Sequence, residues 1–78
     1  MAFSRKRKID NIIGSNVKRI RRKKDPKMTQ EYLANNIGLS RVTIANIESG
    51  KQGLTMVTLL NISKALGVPY TRILRGLR

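Results

Sequence analysis

Residues 40–46 carry the side chains best suited to specific chemistry in this sequence, and that chemistry is hydrogen bonding. Arg41 has a planar guanidinium with five donors, and Asn46 has an amide that both donates and accepts. Ser40 and Thr43 add hydroxyls, and Val42 adds a small apolar group. This set suits the edges of nucleic-acid bases. Arginine can bond guanine twice, asparagine can do the same with adenine, and small apolar groups can contact the methyl of thymine.

Catalysis finds little support in the same residues. The sequence has no histidine and no cysteine, and its four carboxylates are scattered at Asp10, Asp25, Glu31 and Glu48. Residues 50–53 contain two glycines and a lysine but fail the pattern of a phosphate-cradling loop. We therefore expect no enzyme activity, no metal site and no cofactor.

The charge of the chain favours a polyanionic partner. Seventeen Lys and Arg residues oppose four acidic ones, which gives a net charge of +13. Such a balance is compatible with DNA, RNA or an acidic lipid surface. RNA recognition usually stacks bases on aromatic side chains, but Phe3, Tyr32 and Tyr70 are few and dispersed. The basic residues do not line one face of a long amphipathic helix, as membrane-surface binding would need.

No apolar run approaches the roughly 18 residues of a membrane span. The absence of cysteine fits a protein of the cytoplasm, where we expect this chain to act.

The elements that must position these side chains are predicted to be helices. Apolar residues recur at helical spacing from Ile9 to Ile20, after which Asp25-Pro26 would end the first helix. Asp10 is its expected N-cap. Further helices are predicted over residues 30–37, 41–48, 56–66 and 69–74, with Thr29, Ser40 and Thr55 as the N-caps of the first three of them. The chain is thus expected to be all-α, a compact five-helix bundle over residues 10–78. The basic run within residues 1–9 offers no core face, so we expect a flexible N-terminal arm there.

The second and third predicted helices have the spacing of a helix-turn-helix. Ala34 is the small residue where two crossing helices touch, and Gly38 supplies the turn. With Ile44 and Ile47 facing inward, the predicted base-reading residues face outward: Ser40, Arg41, Val42, Thr43 and Asn46. The predicted phosphate-binding residues are Thr29 and Gln30 at the start of the second helix, then Asn35 and Lys51, and Arg5, Lys6, Arg7 and Lys8 of the arm.

These residues allow a family resemblance to be stated. The segment from Gly14 to Leu74 resembles the DNA-binding domain of the phage repressor and Cro family, also called XRE-type. The matching motifs are NVKRIR, MTQEYLANNIGLSRVTIANIESGKQ and TLLNISKALGV. The resemblance implies a lambda-repressor-like fold in which the third helix reads the major groove. It implies that Gln30 contacts phosphate and adjoining recognition residues, and that Arg21 and Glu48 form a structural ion pair. The chain departs from the family pattern at Asp25-Pro26-Lys27, which lengthens the loop before the second helix.

The function expected from these observations is sequence-specific DNA binding by a transcription regulator. We expect a repressor that occupies a two-fold operator as a homodimer, because one short recognition helix reads only one half-site. The dimer contact is expected at Val68, Tyr70, Ile73, Leu74 and Leu77, although Ile73 and Leu74 could instead close the monomer core. Two alternatives use the same domain. One is an antitoxin with a toxin partner, and the other is a restriction–modification controller that activates by contacting RNA polymerase.

Overall fold

Helices account for most of the backbone. The computed structural model describes the backbone of residues 2–77 and the side chains of residues 8–77. Within this part lie five helices and no strand: α1 (Ala2–Arg22), α2 (Gln30–Asn36), α3 (Arg41–Glu48), α4 (Met56–Leu66) and α5 (Tyr70–Ile73). The predicted all-α, five-helix architecture is confirmed. Every helix in residues 2–77 is either too short or too polar to cross a bilayer.

Three side-chain hydroxyls fix where the middle helices begin. Thr29, Ser40 and Thr55 each have extended backbone, and each accepts a hydrogen bond from the backbone N–H three residues later. Such caps satisfy donors that have no partner inside the helix, and each contributes about 1 kcal/mol. Two of the helices are followed closely by a glycine in left-handed backbone conformation. Gly38 (φ 72°) turns the chain between α2 and α3, and Gly67 (φ 69°) closes α4, because both positions need left-handed backbone.

The first helix begins earlier than the sequence predicted. It runs unbroken from Ala2, so the described residues 2–9 are helical rather than a flexible arm, and Asp10 lies inside the helix rather than at its N-cap. Lysine and arginine are good helix formers, and residues 2–9 contain no proline or glycine. Extending an existing helix costs far less than nucleating a new one. The segment is therefore helical although its sequence has no clear apolar face to pack on a core.

The core gathers apolar residues from all five helices. From α1 to α5 in order, its buried members are Ile13, Val17, Ile20, Leu33, Ala34, Ile44, Ile47, Leu59, Ile62, Leu66 and Ile73. Burial of a large aliphatic side chain contributes about 1.5–3 kcal/mol. Because Ile44 and Ile47 are fully enclosed, α3 is held in one orientation and its opposite face is presented outward.

A glycine lets α3 lie directly on α1. A Cβ atom at Gly14 would lie only 2.1 Å from the backbone oxygen of Ile47 and 2.9 Å from that of Glu48. No side chain fits in such a space. Glycine has a low helix propensity, so Gly14 taken alone slightly weakens α1. In the structure it allows the close approach of α1 and α3.

The opposite side of α1 holds α5. The buried Asn16 amide donates from Nδ2 to the backbone oxygens of Ile73, at 2.7 Å, and of Arg75, at 2.8 Å. Asn16 is two positions from Gly14, which is about 200° around a helix. Accordingly, no Cα atom of α3 lies within 8 Å of one in α5. Helix α1 therefore lies between α3 on one side and α5 on the other.

Candidate nucleic-acid interface

The outward face of α3 carries the predicted base-reading residues. Ser40, Arg41 and Val42 are exposed, and Thr43 and Asn46 are half-buried. Val42 keeps 58% of its surface exposed although it is a large aliphatic residue. The structure therefore places all five on one accessible surface, at and just beyond the N-terminal end of α3.

Part of this surface is engaged in local hydrogen bonds. The Ser40 hydroxyl accepts from the Thr43 N–H at 3.1 Å, and the two hydroxyl oxygens lie 2.9 Å apart. These bonds hold the first turn of α3 rigid. Ser40 is therefore first a cap, and its hydroxyl has less capacity left for a base than the guanidinium of Arg41 has.

A buried ion pair lies beneath this surface. Arg21 of α1 meets Glu48 of α3 through two parallel hydrogen bonds, Nε to Oε2 at 2.7 Å and Nη2 to Oε1 at 3.0 Å. Both residues are buried. The remaining guanidinium nitrogen, Nη1, donates to the backbone oxygen of Met28 at 2.8 Å and so ties down the long loop before α2. The pair that the family resemblance implied is thus present in the structure.

Gln30 joins this ion pair to the reading surface. Its Nε2 donates to Glu48 Oε1 at 3.0 Å, and its Oε1 accepts from Arg41 Nη1 at 3.4 Å. An ionised carboxylate can only accept, so Glu48 decides which end of the Gln30 amide faces it. The amide oxygen is thereby presented to Arg41. We call the resulting chain of Arg21, Glu48, Gln30 and Arg41 the reading network.

The last bond of the reading network is its weakest. The distance of 3.4 Å between Arg41 and Gln30 is long for an N–H···O bond, and the contact is exposed to water. The guanidinium is therefore guided rather than fixed. It can keep its contact with Gln30 through one nitrogen and offer the others to a ligand.

Among the predicted phosphate-binding residues, Thr29 and Gln30 line one surface depression together with Arg41. Thr29 is exposed at the N-cap of α2, where its hydroxyl already accepts from the Tyr32 N–H at 3.0 Å. Asn35 is exposed on α2, and Lys51 is exposed in the loop after α3. Lys8 is exposed on α1. The side chains of Arg5, Lys6 and Arg7 lie outside the described residues.

The predicted dimer residues divide into two groups. Tyr70 is 45% exposed, whereas Val68, Leu74 and Leu77 are half-buried against the core. Ile73 is completely buried, so it closes the monomer core and cannot contact a second chain in this structure. The prediction that Ile73 lies in a dimer contact is therefore corrected, because the Asn16 hydrogen bonds hold α5 with that side chain inward.

An apolar surface on α4 was missed. Met56, Val57 and Leu60 are 63%, 68% and 45% exposed and lie within five residues of one another on one side of the helix. Periodicity does show two groups, since Leu59, Ile62 and Leu66 occupy the opposite side.

Comparison with known proteins places this geometry in a family. Residues 17–73 match the helix-turn-helix family model HTH_3. An uncharacterised HTH-type transcriptional regulator, y4dJ, of Sinorhizobium fredii is 34% identical over 62 residues, which cover 80% of this chain and 78% of the relative. The control protein C.MunI of a Mycoplasma species is 33% identical over 60 residues, covering 77% of this chain and 80% of that protein.

A solved structure shares the fold. The restriction–modification controller protein C.AhdI of Aeromonas hydrophila superposes with a TM-score of 0.75 over 82% of this chain and 94% of that one, at 23% sequence identity. The matched region of the family model spans the described helices from the middle of α1 to the end of α5. The chain belongs to the XRE-type helix-turn-helix family of DNA-binding regulators.

Proposed function

We propose that this regulator binds a two-fold DNA operator as a homodimer and represses transcription by occupying a promoter. The observation that carries the proposal is the outward face of α3, where an exposed arginine is guided by Gln30 above a buried ion pair. A helix presented in this way fits the major groove, with its N-terminal residues nearest the base edges.

We propose that Arg41 contributes most to the recognition of the operator sequence. Its guanidinium can bond the two acceptors of guanine, and Asn46 can pair with adenine in the same two-bond manner. Val42 can contact a thymine methyl. Each two-bond contact would discriminate against other bases by about 1–3 kcal/mol.

Phosphate contacts would set the position of the protein on the duplex. The residues proposed for this role are Thr29 and Gln30, which lie beside Arg41, together with the exposed Asn35 and Lys51. Such contacts add affinity at every sequence and make binding depend strongly on salt.

The reading role is tested by comparing Arg41→Ala with Lys64→Ala. Both variants lose one positive charge, and Lys64 is exposed on α4 rather than on α3. Bound sites selected from random duplex DNA should show, for Arg41→Ala, a loss of preference at one base pair per half-site, equivalent to about 1–3 kcal/mol. Lys64→Ala should keep the wild-type preference at every position. A wild-type preference at every position in Arg41→Ala would contradict the proposal.

The apolar side of α4 supports the proposed homodimer. Met56, Val57 and Leu60 expose much of their apolar surface to solvent, where it does not stabilise an isolated domain. Exposed apolar patches of this kind commonly mark contacts with another protein. We assign the dimer contact to these residues, with Tyr70 of α5 as a second exposed apolar group.

Sedimentation of Leu60→Glu and Asn61→Glu tests this assignment. Both substitutions add one negative charge at an exposed position of α4. Leu60→Glu should yield a folded monomer at concentrations where the Asn61→Glu protein remains a dimer. If wild type is monomeric both free and on DNA, or if Leu60→Glu still dimerises fully, the assignment fails.

A second candidate is control of a restriction–modification system, which the 33% identity with the control protein C.MunI favours. In that case the protein would also activate transcription by contacting RNA polymerase. Endonuclease and methyltransferase genes beside this gene would favour this role, whereas a toxin gene there would favour an antitoxin.

A further inference from the structure

A small cavity between α1 and the end of α5 is surrounded by positive charge. Its volume is about 80 Å³, and its lining residues are Asn16, Arg19, Ile20, Lys23, Arg72 and Arg75. Four of the six are cationic, and no side chain among residues 8–77 brings a carboxylate to the cavity. Like charges held this close repel one another, so an anion between them would lower the energy of the folded state.

The floor of the cavity is rigid and fully bonded. Asn16 is buried, its Nδ2 donates to the backbone oxygens of Ile73 and Arg75, and its Oδ1 accepts from Arg19 Nη2. The two carbonyl oxygens, which would repel an anion, are therefore occupied by Asn16. Arg19 is held at the rim with its other guanidinium N–H groups available. Little side-chain freedom at Arg19 remains to be lost when a ligand binds.

This cavity lies away from the reading face. Gly14 and Arg21 mark the side of α1 that contacts α3, whereas Asn16 lies about 140–160° around the helix from them. No Cα atom of α3 comes within 8 Å of α5. A duplex held by α3 would contact the other side of the molecule, so the four cations are not accounted for by the proposed operator contacts.

We propose that this cavity is a second anion site, which binds a terminal phosphate group. Three arginines and one lysine that line one cavity can supply donors for a group with several oxygens and more than one negative charge. A single carboxylate would leave most of these donors without a partner. The volume admits one phosphate but no base or sugar. The ligand would therefore enter by its phosphate end, either as a free polyphosphate or nucleotide or as the end of a nucleic-acid strand.

Titration of the ¹⁵N-labelled full chain with tripolyphosphate tests the proposal. The Asn16 side-chain amide and the backbone amides near Ile73 report on the cavity directly, because Asn16 bonds both Arg19 and the end of α5. Saturable shifts confined to these resonances are expected. The variant Arg19→Gln/Arg72→Gln should weaken binding by at least about tenfold, since each charged hydrogen bond contributes that much or more.

A matched control separates a site from general charge. Arg22→Gln/Lys64→Gln removes two charges from exposed residues that do not line the cavity, and it should keep wild-type tripolyphosphate affinity. Operator affinity should be equal in the two double variants. Spectra that show shifts across the whole basic surface, or equal loss of binding in both variants, would overturn the proposal. So would a larger loss of operator affinity in the cavity variant, because the cavity would then belong to the duplex interface.

Two further ligands identify the source of the phosphate. A short single strand with a 5′-phosphate and the same strand without it distinguish a nucleic-acid end from a free polyphosphate. Selective binding of the phosphorylated strand, or of tripolyphosphate alone, supports the site with the corresponding source. If only a glutamate-rich peptide shifts the Asn16 amide, the proposed phosphate chemistry is refuted.

Discussion

Gly14 lies where α1 and α3 cross, and two opposing effects meet at this residue. Alanine would raise the intrinsic helix propensity of α1 by about 0.5–1 kcal/mol. Its Cβ, however, would lie 2.1 Å from the backbone oxygen of Ile47, which belongs to a helix and cannot rotate away. The steric effect is the larger of the two because overpacking a core typically costs about 1–3 kcal/mol.

We therefore predict that Gly14→Ala destabilises the protein by about 1–3 kcal/mol in urea unfolding. Ser15→Ala, at the exposed neighbouring position of α1, should change stability by less than about 0.5 kcal/mol. A Gly14→Ala protein that is more stable than wild type would mean that α1 and α3 can separate freely at this crossing.

Glu48 has two duties, since it neutralises Arg21 and orients Gln30. Glu48→Ala would leave the Arg21 guanidinium buried without its partner, at a cost of about 3–5 kcal/mol. The double variant Arg21→Met/Glu48→Leu should recover most of that stability, because an apolar pair can replace a buried ion pair. Urea unfolding of the three proteins measures both steps. No recovery in the double variant would mean that the loss does not come from the unpaired arginine.

At the level of single residues, the sequence was most informative where a side chain has one local duty. Thr29, Ser40 and Thr55 were predicted as caps because a hydroxyl before a helical stretch satisfies backbone donors close by. Gly14 and Asn16 were not recognised. Their partners lie at residues 47 and 73, and no local pattern links positions so far apart.

Among the elements, α5 depends most on its neighbours. It has four residues, which is too short for a helix to persist alone. Ile73 anchors it in the core, and Asn16 donates to the carbonyl of Ile73 at its end and to that of Arg75 just after it. The sequence placed this helix correctly from Pro69 and the apolar residues after it, but it could not decide which of those residues face the core.

We predict that Asn16→Ala loosens α5 more than the rest of the bundle. Two backbone oxygens would lose their donor, which costs about 1–3 kcal/mol for each buried group left unsatisfied. Hydrogen exchange should accelerate at residues 74–77 before it does in α2 and α3. Uniform acceleration along the chain would instead indicate that α5 opens only with global unfolding.

The N-terminal part of α1 carries the basic run of residues 5–8. Among the described side chains of α1, Ile13 is the first buried apolar one, whereas Lys8 and Ile9 are exposed. Removal of residues 1–8 should therefore leave the urea midpoint nearly unchanged. If the basic run binds DNA, the log–log salt slope of operator binding should fall by about 0.9 for each phosphate that the truncated protein no longer neutralises. An identical slope in the truncated protein would show that these residues bind no phosphate.

The molecule as a whole carries far more positive than negative charge, with a net value of +13. This excess attracts DNA but also makes the folded chain repel itself. Salt screens both interactions, so it should weaken DNA binding and stabilise the fold. Arg21 and Glu48 are shielded from that screening by burial, so this ion pair should persist as the salt concentration rises.

We predict that added sodium chloride raises the urea midpoint while it lowers operator affinity. The affinity should fall by roughly a thousandfold or more between about 50 and 200 mM salt if the bound protein neutralises at least about six phosphates. The variant Arg19→Gln/Arg72→Gln should show a smaller rise in midpoint than wild type, because two of the crowded charges are gone. A midpoint that does not change with salt would show that self-repulsion is negligible.

At this largest scale the sequence was a good guide to architecture and a poorer one to surfaces. Apolar periodicity and turn residues specify five helices because both are local properties. Which apolar side chains remain uncovered depends on how helices pack. Periodicity separates the two sides of α4 but does not say which one remains exposed, and the cationic cavity beside α5 depends on residues far apart in the sequence.

Gln30 contacts both Glu48 and Arg41. This double contact affects how such a regulator could acquire a new DNA target after gene duplication. Exchange of Arg41 for a shorter residue would leave the Gln30 carbonyl to water alone, so a change at position 41 should favour a matching change at position 30. Val42 carries no polar group and has no internal bond to lose. Diverging copies should therefore explore position 42 first, and paired changes at 30 and 41 should mark the larger evolutionary shifts in operator choice.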